Sequence, residues 1–145
     1  MPTLVRWYIR TALLSLLTAC LAGGLVLAGK PLGVPWLAAW FQPVFYHLLM
    51  VGWATQLIAG VAIWMFPPLS KAQPRGNEGL GWAAYGALNG GLLLRVAAEP
   101  AQAAGGQPWA GPALIASAVL QTVAVYILIL LLWPRVKGRA RQTSR

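Results

Sequence analysis

One histidine, two glutamates and no aspartate carry whatever acid–base or ligand chemistry this 145-residue chain can perform. His47 stands in the apolar run Phe45-Tyr46-His47-Leu48-Leu49-Met50-Val51-Gly52-Trp53, a setting in which an ionisable side chain is a candidate functional group by default. The plainer alternative is an interfacial histidine bonded to a carbonyl or a lipid headgroup. Arg95 and Glu99 are four residues apart, so a helix brings them to one face. They can pair there, with Arg95 snorkelling toward water, or Arg95 can hold an anionic ligand group. Asn89 and Gln121 lie deeper in separate apolar stretches and are expected to hydrogen-bond between helices. A single cysteine, Cys20, excludes an internal disulfide, and a single histidine excludes a His/Cys metal cluster. Without Asp, and with only Glu78 and Glu99 as acids, neither a Ser-His-Asp triad nor a hydrolytic carboxylate pair can be assembled. No catalytic residue emerges, and the chain is not expected to be an enzyme by itself.

The elements that must position these groups follow from composition. The chain is 59% hydrophobic and 9% charged, where soluble domains carry about 25% charged residues. The apolar residues fall in blocks of membrane-spanning length, about 20 residues. Four spans are expected, at about 7–28, 44–66, 80–98 and 112–133, followed by a basic tail over 134–145. The fold class is therefore all-α, an integral membrane four-helix antiparallel bundle forming a single domain. The third span is the least apolar, since it contains Asn89 and Arg95. Pro43 suits the first turn of the second helix, with Trp36 to Gln42 as a short interfacial helix before it. Pro67 and Pro68 end that span, and Glu99 to Gly111 reads as an exposed connection.

Net charge is +9. The basic residues edge the apolar blocks and show no interleaving with aromatics, so no nucleic-acid partner is expected; the lipid bilayer is. Nine of the eleven basic residues (Arg6, Arg10, Lys71, Arg75, Arg135, Lys137, Arg139, Arg141 and Arg145) fall on one side, and Lys30 and Arg95 on the other. The positive-inside rule then places both termini in the cytoplasm of a multi-pass protein of the cell inner membrane. Trp7, Trp36, Trp40, Trp109 and Trp133 lie near predicted interfaces. Leu17-Thr18-Ala19-Cys20 looks like a lipoprotein processing site, but the chain stays apolar through Leu27, which favours a retained span with Cys20 as a small buried residue. In the second span, Gly52, Gln56 and Gly60 form a stripe for close helix packing. Val51, Ala54, Ile58 and Ala62 are expected nearer the His47 face.

The second span resembles the second helix of the haem–copper oxidase catalytic subunit, the superfamily of cytochrome c oxidases and nitric oxide reductases. His47, Leu49, Met50, Gly60, Trp64 and Pro67 carry the resemblance. The chain is also similar to small four-span bacterial proteins commonly classified with that subunit, through Gly79-Leu80-Gly81-Trp82, Asn89-Gly90 and Arg95 to Pro100. The resemblance implies that His47 is an axial ligand of haem b and that Arg95 is a partner for a haem propionate. It covers only about the first third of the catalytic subunit. The later helices with the copper-binding histidines are absent, so no oxygen-reducing site is expected. Met50, in the turn next to His47, cannot reach the opposite haem face, and Met65 lies toward the other side. A second axial ligand then has to come from another chain, such as His47 of a second copy; the alternative is five-coordinate haem, or none. The expectation is an integral membrane subunit of a respiratory or electron-transfer complex, as a homodimer or with other subunits. The alternative is a non-catalytic accessory or assembly protein without cofactor.

Overall fold

The computed structural model describes residues 1–70 and 73–136. Among these the chain is helical, with no strand. Four long helices follow in order: α1 (Thr3–Gly29), α2 (Trp36–Met65), α3 (Glu78–Ala103) and α4 (Ala110–Leu132), the last continued by a 3-10 turn at Trp133–Arg135. Three of them, α1, α2 and α4 with its terminal turn, are long and apolar enough to cross a membrane. Helix α3 is not among them; its Asn77 side chain caps the first turn by accepting from the backbone N–H groups of Gly79 and Leu80, a standard helix start.

Contacts fix the order of packing. Helix α1 runs antiparallel to α2: Tyr8 lies against Gly60, Ser15 against Gly52, and Gly23 against Phe45. Helix α3 also runs antiparallel to α2, since Asn89 meets Gln56 and Glu99 meets His47. It packs in turn on α4, where Gly91 lies against the Ser117 carbonyl and Gln121. The start of α1, the end of α2, the start of α3 and the end of α4 therefore share one end of the molecule. One core cluster joins them there, including Val5, Tyr8, Ile63, Ala84, Leu88 and Leu128. A smaller cluster of Ala19, Val44, Leu48 and Leu92 holds α1, α2 and α3 together toward the other end.

The helices are longer than the sequence expectation in two places. Pro43 lies inside α2, seven residues after Trp36, rather than in its first turn. A proline removes one backbone donor, but Trp36–His47 stays helical through it, helped at its start by the Trp36–Trp40 ring contact, 4.6 Å between centroids. Trp36 to Gln42 is thus part of α2, not a separate helix. Likewise α3 continues through Pro100 to Ala103, so Glu99 belongs to a helix and not to an exposed connection. The Pro100 carbonyl accepts from the Ala104 N–H, closing that extra turn.

Within α2, Leu48–Thr55 is wound as a π-helix, a form concentrated at functional sites. Thr55 Oγ1 donates to the carbonyl of Met50, five residues back, at 2.8 Å. Gly52, in the middle of this stretch, is where α1 and α3 both press on α2. A Cβ there would stand 2.8 Å from Ser15 Cβ and 2.9 Å from Leu92 Cδ2. The widened turns also break the regular helical period, so Val51, Ile58 and Ala62 do not share one environment: Ile58 is exposed and Ala62 buried. Cys20 is exposed rather than buried, because α1 turns the opposite face, with Ala19 and Ala22, into the core.

Candidate functional site

His47 is the last residue of α2 before the π-helical stretch. Its Nδ1 lies 2.9 Å from the Pro43 carbonyl oxygen, one turn back, and 3.0 Å from Glu99 Oε1 on α3. Both neighbours are acceptors when Glu99 is ionised, so Nδ1 carries the hydrogen and shares it between them. Nε2 has no partner among the described residues. The imidazole is 31% exposed, whereas the Glu99 side chain is only 8% exposed. The ring is therefore held on its inner edge and open on its outer one.

Glu99 is the hub. Its Oε1 also accepts from Arg95 Nη1 at 3.2 Å, on the same helix face. Arg95 Nε reaches Ser117 Oγ on α4 at 3.3 Å, and Ser117 Oγ donates to the Gly91 carbonyl at 2.6 Å. Gln121 Nε2 donates to the same Ser117 hydroxyl at 3.3 Å. The chain of contacts thus crosses three helices, α2, α3 and α4. Glu99 Oε2 is buried and has no hydrogen-bond partner among the described residues. The sequence residues His47, Arg95 and Glu99 are brought together, and Ser117, which no motif flagged, joins them. Gln121 bonds within its own helix rather than across to another.

A second polar cluster lies deeper. Gln56 is fully buried and exchanges two hydrogen bonds with Asn89, Nε2 to Oδ1 at 3.1 Å and Asn89 Nδ2 to Gln56 Oε1 at 3.2 Å. Thr11 Oγ1 donates to the same Gln56 oxygen at 2.9 Å, and Asn89 Nδ2 also donates to the Tyr85 carbonyl at 2.9 Å. This neutral cluster ties α1, α2 and α3. It matches the expectation that Asn89 bonds between helices, and it places the Gly52–Gln56–Gly60 stripe against α1.

A third feature sits at the opposite end from His47. Arg135, counted by sequence as part of the basic tail over 134–145, is 2% exposed. Its Nε donates to the Pro67 carbonyl at 3.0 Å, and Nη2 donates to the carbonyls of Ile63 at 3.1 Å and Phe66 at 2.6 Å. These are free acceptors at the C-terminus of α2, where a cation is favoured. The other tail cations, Lys137, Arg139, Arg141 and Arg145, and Lys71 of the second connection, lie outside the described residues. Among the described residues no group of three or more His, Cys, Asp or Glu could hold a metal ion.

Comparison with models of known families, with curated proteins and with solved structures finds no match.

The residues present fit a haem iron in one respect and not in another. An imidazole whose Nδ1–H is fixed by a carbonyl and a carboxylate is oriented and made more basic for ligation through Nε2. Arg95 is less suited to a propionate, because Glu99 already occupies it and would repel a second carboxylate.

Proposed function

We propose that the chain is a four-span protein of the cell inner membrane, with both termini cytoplasmic, and serves as a non-catalytic subunit of a membrane electron-transfer complex in which His47 ligates haem b. The observation that carries the reading is the His47 imidazole, anchored at Nδ1 by Pro43 and Glu99 and free at Nε2. The up-down order of the helices and the nine-to-two division of basic residues support the orientation. Helix α3 would cross as the fourth span with its polar groups, Asn89, Arg95 and Glu99, turned to neighbouring helices rather than lipid. Bound haem would supply one-electron exchange. The chain's own part is to hold the imidazole edge-on, keep its tautomer, and fix α2 against α3 through Glu99. The Arg95 role toward a propionate is not retained.

A second reading is favoured by the same hub. Glu99 takes both His47 and Arg95, so the cluster also works as a purely structural clasp between α2 and α3 in a cofactor-free accessory subunit. Reduced-minus-oxidised absorption spectra of the detergent-purified protein, made with haem in ample supply, separate the two. The haem reading expects a sharp b-type band that His47→Ala abolishes and Arg95→Gln leaves in place. A colourless wild-type protein leaves only the clasp. A periplasmic reporter fused after Arg145 is expected to be inactive; activity would overturn the orientation.

A further inference from the structure

A groove of about 370 Å³ lies between α1 and α3. Its walls run from Thr11 to Thr18 and from Tyr85 to Val96, and Leu48 of α2 forms its floor. A mainly apolar recess of this volume between helices is of the size that takes a small molecule.

The polar groups along the groove are not equivalent. Thr11 and Asn89 are committed to Gln56, and Thr18 donates to the Leu14 carbonyl one turn back at 2.8 Å. Ser15 lines the same wall, is 9% exposed, and has no hydrogen-bond partner among the described residues. A helical serine can bond the carbonyl one turn back, but this one does not. A hydroxyl withdrawn from water with its hydrogen unused is costly unless something else accepts it.

Depth narrows what that acceptor can be. Ser15 is the thirteenth of the 27 residues of α1, and it lies against Gly52, near the middle of the 30-residue α2. On the membrane reading the hydroxyl sits near the bilayer midplane, about 15 Å from the ester carbonyls of either leaflet. Neither those carbonyls nor water serves a donor at that level. The occupant must be apolar enough to enter the hydrocarbon and must bring its own carbonyl oxygen. Tyr85, also in the lining, has its ring fixed by T-shaped contacts to Tyr8 and Trp82, with centroids 5.1 and 5.7 Å away. A fixed aromatic ring favours a flat ring beside it over a mobile acyl chain. At 1.5 Å per residue the groove extends about 11 Å along α1 and about 17 Å along α3. A helix of another chain would need a seam of about 30 Å.

We propose that the groove binds the ring of a lipid-soluble quinone, with Ser15 Oγ donating to a ring carbonyl and Tyr85 bordering the ring. The inference rests on the membrane reading and not on haem. A quinone fits the three requirements together: it dissolves in the bilayer interior, it is flat, and it carries carbonyl oxygens on an otherwise apolar body.

The test is native mass spectrometry of the full-length protein released from nanodiscs titrated with decylubiquinone, with dodecylbenzene as a hydrocarbon of similar shape without a carbonyl. The wild type is expected to retain one quinone per chain in preference to dodecylbenzene. Ser15→Ala keeps the close contact with Gly52 and should weaken retention about fivefold, the loss of one hydrogen bond. Leu93→Trp fills the groove from a side chain that is 71% exposed, so the fold tolerates it, and should abolish retention. Leu13→Trp, exposed on α1 outside the groove, should retain quinone as the wild type does. Equal retention of decylubiquinone and dodecylbenzene, or a Ser15→Ala variant that binds as the wild type, overturns the proposal and leaves a mere apolar slot. A wild type that holds no quinone and runs as a dimer that Leu93→Trp dissociates gives the groove to a second copy, and overturns it as well. The haem spectrum and the reporter fusion are read on separate samples, so failure here is distinguishable from failure of either.

Discussion

Two polar clusters join α2 to α3, and they solve the same problem in opposite ways. At Gln56 and Asn89 every interhelical bond is between neutral groups and the amides answer each other reciprocally, with Thr11 adding a third helix. At His47, Glu99 and Arg95 the groups are ionisable, one carboxylate oxygen serves two donors, and the other has none among the described residues. A buried neutral network that is fully satisfied rigidifies a core. A charged network with an unmet acceptor and an open imidazole edge is a poor use of free energy for stability alone, and that difference directs attention to His47 rather than to Gln56.

The comparison can be broken most forcefully at Glu99. Glu99→Ala strands Arg95 on Ser117 and His47 on Pro43, and should lower stability by about 2–3 kcal/mol, below the value for a wholly buried pair because both partners are partly exposed. Chemical unfolding in mixed micelles measures this; a loss no greater than that of a surface substitution would remove Glu99 from its place as hub. Next in size is Gln56→Leu, which leaves Asn89 and Thr11 short of a partner at a cost of about 1–2 kcal/mol. Adding Asn89→Leu should recover about 1 kcal/mol of that loss, because two matched apolar groups replace two matched polar ones. A double variant worse than the sum of the singles would show that the amide pair is more than mutual satisfaction. The smallest effect is expected for Thr11→Val, about 0.6 kcal/mol, typical of one interhelical hydrogen bond in a membrane protein. Of these variants, only Glu99→Ala should also shift or broaden the haem b band on the haem reading, since it alone touches the imidazole; an unchanged band with full haem content would show that Pro43 suffices to orient the ring.

Much of this was legible in the residues, though unevenly. The Arg95–Glu99 contact follows from helical spacing, and the burial of Gly52, Gln56 and Gly60 follows from small residues at i, i+4 intervals. That His47 would meet Glu99 was not readable, because Glu99 was expected in a loop just before Pro100. The helix runs through that proline, and only then does Glu99 face α2. Ser117 carried no signal beyond its place four residues before Gln121. Arg135 misled: a basic residue after the last apolar run reads as the start of a basic tail until the carbonyls of Ile63, Phe66 and Pro67 are known to converge on it.

What the amino-acid order determined by itself is the all-helical character, the long apolar stretches and the lopsided distribution of positive charge. Those properties are local: each depends on a residue and its near neighbours along the chain, so no partner helix has to be known. The tertiary structure decided which ionisable groups share a site, where α2 widens, and which cation is buried. Such pairings depend on the register and separation of helices far apart in sequence, and one turn of difference would have left His47, Glu99 and Arg135 each without the partner it has.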